Sequence, residues 1–187
     1  MEEDIKKACD ILSTGGIILY PTDTIWGIGC DATNEEAIKK IYAIKQRTDS
    51  KSMLVLLDSS AKIDYYTSDF SNIALDLIEL SDKPLTIIYS EAKNLASNLI
   101  AEDGSIGIRI TQEKFSKELC RKFKKPIVST SANVSGKSSP ANFSEIESSI
   151  INAVDYVVNY RQDDITKSKP SSIIKLDKDG TVKIIRK

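Results

Sequence analysis

Five short segments limit what this chain can fold into: residues 17–20, 53–57, 84–89, 105–110 and 126–128, each apolar or alternating. Each is too short for a self-supporting helix and reads as a strand. The intervening stretches carry helical spacing instead. Ile5, Ala8, Cys9 and Leu12 recur at i, i+3, i+4 and i+7, and Gly15-Gly16 ends that stretch. Ala37, Ile38, Ile41, Tyr42 and Lys45 keep the same spacing behind Thr33 and Glu36, which read as a capping box. Residues 69–80, with Phe70, Ile73, Ala74 and Leu77 as the core stripe, and residues 113–124, with Phe115, Leu119 and Cys120, supply two more helices. Shorter helices are expected at 92–99 and 144–150. Strands are expected at 154–159, 171–176 and 182–185, the last two joined by a hairpin turn at Asp179-Gly180. Strands that alternate with helices and then close with further strands specify an α/β fold: one domain over 1–187, a twisted open mixed β-sheet flanked by helices.

Charge and composition exclude several functions. The 187 residues carry a net charge of −1, so attraction to nucleic acid or an anionic membrane would have to come from a local patch. No apolar run has membrane-spanning length, and the acidic start MEEDIKKACD is unlike a signal peptide, so a cytoplasmic protein is expected. Cys9, Cys30 and Cys120 stand far apart and there is no histidine, which argues against a structural metal and removes the Ser-His-Asp triad. Chemistry here has to rest on cations, hydroxyls, backbone amides and positioning.

Two stretches hold those groups. Thr22-Asp23-Thr24 follows the strand at 17–20, where open α/β sheets place ligands. Lys45, Arg47 and Lys51 follow the helix; any one cation there could simply complement the helix dipole, but three within seven residues fit that less well. Residues two apart do not share a helix face, so Lys45 and Arg47 converge only if the chain leaves the helix there. Far away, the strand at 126–128 runs into STSANVSGKSSP, whose hydroxyls and amide suit phosphate and ribose oxygens or, equally by composition, turns and a helix cap. Arg109, within an alternating strand, reads on its own as pointing to solvent. The basic end Arg121, Lys122, Lys124 and Lys125 reads most simply as a solvated helix terminus. Neither GxxxxGK[ST] nor a GxGxxG after a strand is present.

YPTDTIWGIGCDA, KQRTDSK, SIGIRI, PIVSTSANVSG and PSSIIKL, in this order, resemble the YrdC-like family of L-threonylcarbamoyladenylate synthases over nearly the whole chain. The family pairs a KxR with a distant SxN, here Lys45-Gln46-Arg47 and Ser131-Ala132-Asn133. The resemblance implies a twisted open α/β sheet with a concave, positively charged face. It also implies an enzyme that joins L-threonine, bicarbonate and ATP, with Mg2+ on the nucleotide, into threonylcarbamoyl-AMP and pyrophosphate. A downstream transferase complex would then modify tRNA. By the same resemblance Lys45 and Arg47 are catalytic, Thr22, Thr24, Lys51 and Arg109 bind substrate, and Thr130, Ser131, Asn133, Ser139, Ser171, Ser172 and Arg186 bind the nucleotide. Arg109 is thereby promoted from a solvent residue to a pocket residue.

The chain departs from the family pattern where Thr48 and Ser52 replace prolines, where Trp26 replaces a tyrosine or phenylalanine, and where Thr111-Gln112-Glu113 replaces a segment with proline and histidine. It ends soon after Arg186, so the additional C-terminal domain of longer relatives is expected to be absent. Competing readings are a non-catalytic double-stranded RNA or tRNA-binding module using Arg121 to Lys125, an ATP pyrophosphatase indifferent to threonine, and the carbamoyl-adenylate chemistry of multi-domain hydrogenase-maturation enzymes.

Overall fold

The apolar runs assemble into one mixed sheet. The computed structural model describes residues 1–46, 53–177 and 179–187. In chain order its elements are α1 (Glu2–Ser13), β1 (Ile18–Tyr20), β2 (Gly27–Gly29), α2 (Glu35–Ile44), β3 (Leu54–Leu57), α3 (Ile63–Tyr66), α4 (Asn72–Glu79), β4 (Leu85–Tyr89), β5 (Ile106–Ile110), α5 (Lys114–Phe123), β6 (Ile127–Ser131), α6 (Ser148–Ile151), β7 (Tyr156–Val157), β8 (Ser172–Leu176) and β9 (Val182–Arg186). The strands form a nine-stranded sheet in the order β7-β1-β2-β6-β3-β5-β4-β8-β9. The β1/β7, β3/β5 and β4/β8 pairs are parallel and the other five antiparallel.

Side-chain alternation divides the strand residues between two cores. Leu19, Val55, Leu57 and Val128 pack on one face with Ala37, Ile38 and Ile41 of α2 and Ala74 of α4. Ile18, Tyr20, Leu56 and Ile127 pack on the other with Ile5, Ala8 and Leu12 of α1 and Phe115 and Leu119 of α5. Burying each of the larger side chains stabilises the fold by roughly 1.5–3 kcal/mol, so α1 and α5 are held mainly by their apolar stripes.

That second face positions the site. Cross-strand partners project to the same side of a sheet, and the pairs Leu54↔Ser129, Leu56↔Ile127, Leu56↔Arg109, Gly27↔Ser131, Thr86↔Ile173 and Ile173↔Arg186 trace it across seven strands. Helices α1 and α5 cover its Ile18–Leu56–Ile127 part. The remainder, from Gly27 to Arg186, sets Ser129, Ser131, Arg109 and Arg186 among Leu54 and Ile173 and lines a cavity. Along β6 the change is visible within one strand, from Ile127 under the helices to Ser129 and Ser131 beyond them.

Tyr20 shows why Gly29 lies opposite Ile18. Its hydroxyl donates to the Val128 carbonyl at 3.1 Å, and a Cβ on Gly29 would stand 2.6 Å from both Tyr20 Cε1 and Val128 O. No larger residue leaves the phenol room to cross β2.

Several expectations need correction. The α2 N-cap is Asn34, whose side chain accepts from the Ala37 amide at 3.0 Å, while Thr33 donates instead to Asp31 and Glu36 pairs with Lys39. Residues 92–99 form turns, because their amides are drawn to distant partners: Ala92 N–H to Gly104 O, Lys93 N–H to Tyr66 O and Ala96 N–H to Ala32 O. Asn94 there takes φ 55°, which breaks a helix. The expected 144–150 helix divides into a 3-10 turn at Phe143–Glu145 and the four-residue α6. The 154–159 strand shrinks to β7. Ile73, placed in a core stripe by its spacing, is 43% exposed. Arg109, which alone reads as a solvent residue, is 3% exposed, because the turn after β1 meets its guanidinium through Asp23 and Thr24 on that face of β5. Among the described residues no helix is long and apolar enough to cross a membrane.

Candidate active site

Pro21 ends β1, and the turn after it is built from its own hydroxyls. Thr22 Oγ1 donates to Ile25 O at 2.8 Å and accepts the Thr24 amide at 3.1 Å. It also lies 3.0 Å from Thr24 Oγ1. A hydroxyl has a single proton, and that of Thr22 is committed to Ile25, so Thr24 donates in the threonine pair. Thr24 Oγ1 in turn accepts from Arg109 Nη1 at 3.3 Å. Thr22 is thereby saturated and sits behind the wall. Thr24 faces the cavity with one acceptor position left, suited to an ammonium or hydroxyl donor.

Arg109 reaches this turn from β5. Its Nε forms an ion pair with Asp23 Oδ1 at 3.2 Å, although neither atom is aligned for a hydrogen bond. Burial pushes the Asp23 carboxyl above its ordinary value, and the Arg109 charge offsets part of that push. Across the cavity Arg186 Nε donates to Ser171 O at 2.9 Å, with Nη2 3.5 Å from Ser171 Oγ, which is itself 2.9 Å from Thr86 Oγ1. Burial, followed by repulsion from Arg109, lowers the Arg186 pKa. Among the described residues no carboxylate pairs with Arg186. Two guanidinium groups therefore share one cavity with, among the described residues, a single counter-charge, an arrangement that an entering anion would relieve.

Lys45 joins the two distant polar stretches. As the C-cap of α2 it leaves the helix, and Gln46 follows at φ 50°. Its Nζ donates to Ser131 O at 2.6 Å and Asn133 O at 2.7 Å, and its own carbonyl accepts the Ser135 amide at 2.9 Å. Lys45 is 3% exposed, so its ammonium braces the loop after β6 from within. Asn133 holds that loop from the other side, with Nδ2 donating to Val134 O and Lys137 O, while its buried Oδ1 has no hydrogen-bond partner among the described residues.

The cavity measures about 190 Å³, below the ~300–1,000 Å³ of typical drug-sized sites. It gathers Thr24, Arg109, Thr130, Ser131, Ser139, Ser171 and Arg186 from the expected set. Thr22, Lys45, Asn133 and Ser172 are not among its lining residues. Arg47 and Lys51 lie outside the described residues. Trp26, an aromatic position already noted in the family pattern, forms a wall and packs on Phe143 with ring centroids 4.8 Å apart, and Ser129, the first residue of the polar stretch but given no role of its own, also lines the cavity. Sequence reasoning missed Asp23, although a buried strand arginine demands a carboxylate and Asp23 stood in the polar turn already singled out. A larger cavity of about 520 Å³ on the far side of Asp23 is edged by Asp58, Glu79 and Asp82 against Lys83 and Lys117. Among the described residues no arginine lines it, and its carboxylates would repel an anion.

The family model described as "Telomere recombination" (Sua5/YciO/YrdC) matches residues 10–187. A putative threonylcarbamoyl-AMP synthase of Methanocaldococcus jannaschii is 36% identical over 98% of this chain and 87% of its own length. The threonylcarbamoyl-AMP synthase of Pseudoalteromonas translucida is 32% identical over 84% of this chain and 86% of its own. Among solved structures, P. abyssi Sua5 in complex with L-threonine superposes with a TM-score of 0.84 at 20% identity, covering 94% of this chain; the chain spans about half of that protein, 52%.

Proposed function

Because this chain belongs to the Sua5/YciO/YrdC family, we propose that residues 1–187 form one catalytic domain, an L-threonylcarbamoyladenylate synthase. The threonine amine attacks carbon dioxide with loss of a proton, or bicarbonate with loss of water, to give a carbamate. A carbamate oxygen then attacks the α-phosphorus of ATP, and pyrophosphate leaves. Carbamate and triphosphate are both anions, so their approach is opposed by charge. The single observation that carries the reading is the Arg109–Arg186 pair over a hydroxyl-lined cavity, which supplies fixed positive charge where these anions meet.

Thr24 offers its remaining acceptor position to the threonine ammonium or hydroxyl, in keeping with the threonine complex of the structural relative. Ser129, Thr130, Ser131 and Ser139 present hydroxyls toward the nucleotide. The cavity's volume suits an amino acid with its carbamate, so the rest of the nucleotide lies across its mouth. Alignment of the reactants is the other contribution of the site. Arg47 and Lys51 are proposed to meet the phosphates. Mg2+ neutralises phosphate charge when it is bound. The cavity's side-chain donors are hydroxyls and guanidiniums, and among the described residues no cluster of three His, Cys, Asp or Glu exists, so the ion arrives on the nucleotide. The adenylate passes to a transferase complex acting on tRNA in the cytoplasm.

Pyrophosphate release with ATP and Mg2+ is the test. Release that requires both L-threonine and bicarbonate is expected; release indifferent to threonine would make the chain a pyrophosphatase. At the basic end of α5, Arg121 is paired with Glu118 and Lys125 with Asp31, so only Lys122 and Lys124 are left to support the RNA-binding reading.

A further inference from the structure

Arg161 takes no part in the site as described, yet it is tied to the turn that builds the site. It sits at φ 67°, a left-handed conformation that is unfavourable for an L-residue. Its Nη1 lies 3.4 Å from Thr22 O and 3.7 Å from Glu113 Oε1, while Nε and Nη2 reach Asp164 Oδ2 at 3.1 and 2.8 Å. Glu113 is itself fixed: as the N-cap of α5 its Oε2 accepts the Ser116 amide at 2.7 Å, and the Ser116 hydroxyl is 2.7 Å from that of Thr111, two residues beyond Arg109. The segment that carries Arg161 is fastened at its far end, where Ser168 N–H donates to Ala141 O at 3.1 Å. One guanidinium thus spans the Thr22 carbonyl, the start of α5 and the 161–168 segment, a bridge that a fork of five N–H donors can make and a point charge cannot.

We propose that Arg161 is a positioning residue for the threonine wall of the cavity: by holding the Thr22 carbonyl it sets the Thr22 hydroxyl, which receives the Thr24 proton and so aims the Thr24 acceptor into the cavity beside Arg109. The effect on substrate rests on the synthase reading; the effect on the turn does not. Arg161 is not among the cavity's lining residues and lines instead a small neighbouring pocket that shares Thr24 and Trp26 with it, so it acts through Thr24 rather than on a substrate.

The test has two arms on the full chain. In hydrogen–deuterium exchange without substrate, Arg161→Ala speeds exchange of the Thr24 amide about tenfold while β3 and β5 keep their protection. In steady-state assays the same variant raises KM for L-threonine about tenfold and leaves KM for ATP unchanged. Placing Arg161→Ala in a Thr24→Val background removes that KM effect, as expected for residues acting in series. Arg161→Lys, which keeps a cation near Asp164 without the span, shifts both readouts in the same direction by less, and it carries the test if the alanine variant does not fold. Unchanged exchange at Thr24, or KM values for threonine and ATP that rise together, overturns the proposal. A wild-type chain without threonine-dependent turnover overturns the synthase reading instead, and the exchange arm still decides the role of Arg161.

Discussion

Arg109→Met should leave a carboxylate stranded in the protein. Arg109 is 3% exposed and the Asp23 side chain 10%, at 3.2 Å, so neither charge has water to replace its partner. Removing one member of a buried pair costs ~3–5 kcal/mol. The lower end, about 3 kcal/mol, applies here because the pair is not aligned as a hydrogen bond. In a domain of this size that corresponds to a fall in Tm of roughly 6–12 °C. The pH dependence follows from the direction of the Asp23 shift. Burial raises its folded pKa above the ordinary 3.8. A raised group contributes stability that is fully present below the unfolded pKa and is lost as pH rises through the folded one. Losing the Arg109 charge raises the folded pKa further, so the loss extends over a wider span. The variant's deficit should therefore be smallest near the ordinary value and grow toward neutrality. Thermal and urea unfolding of Arg109→Met at pH 5 and pH 8 measures this, with Arg109→Met/Asp23→Asn expected to recover much of the loss. A deficit equal at both pH values, or a double variant no more stable than the single one, would refute the reasoning.

Asp4 gives the opposite sign. Burial raises its pKa, but hydrogen bonds from the Tyr156 hydroxyl and from the Asn159 amide and side chain outweigh that and lower it. Its contribution is present above the unfolded value and lost as pH falls through the folded one. Asp4→Asn should thus cost about 1–2 kcal/mol at pH 7 by urea unfolding, with the gap closing in acid. Gly29→Ala places a Cβ 2.6 Å from the Val128 carbonyl and should cost about 2–3 kcal/mol. Gly104→Ala, where nothing lies within 4 Å, costs only the strain of φ 76°, about 1–2 kcal/mol, and calorimetry ranks the two. Lys45→Ala leaves two loop carbonyls without their ammonium and should lower kcat/KM for adenylate formation about 100-fold in a chain that still folds; near-normal kinetics would remove Lys45 from the site.

The strand and helix pattern was legible because periods of two and 3.6 are written in the side chains that each element buries. Ile17 to Tyr20 divides between both cores, as an all-apolar run in a two-sided sheet must. Caps and turns were less legible, since Thr33 and Asn34 are both good caps and only the Asp31 carboxylate, which takes the Thr33 hydroxyl, decides between them. Residues 92–99 look helical in isolation, but their amides pair with residues distant in sequence. Arg109 shows the same limit: its burial depends on Asp23 and Thr24, far away in sequence, meeting its guanidinium, and only the family resemblance anticipated it. Lys45 was found, but two of its partners are carbonyls of the other motif, a pairing that residue types do not encode.

The most direct measurement supplies the purified chain with ATP, Mg2+, L-threonine and carbon-13 bicarbonate, and resolves the adenylate product by mass spectrometry. Threonylcarbamoyl-AMP carrying the label, absent when threonine is omitted, is the predicted result. ATP cleaved to AMP and pyrophosphate with no labelled adenylate would contradict it, because the Arg109–Arg186 cavity would then not be holding a carbamate against the nucleotide.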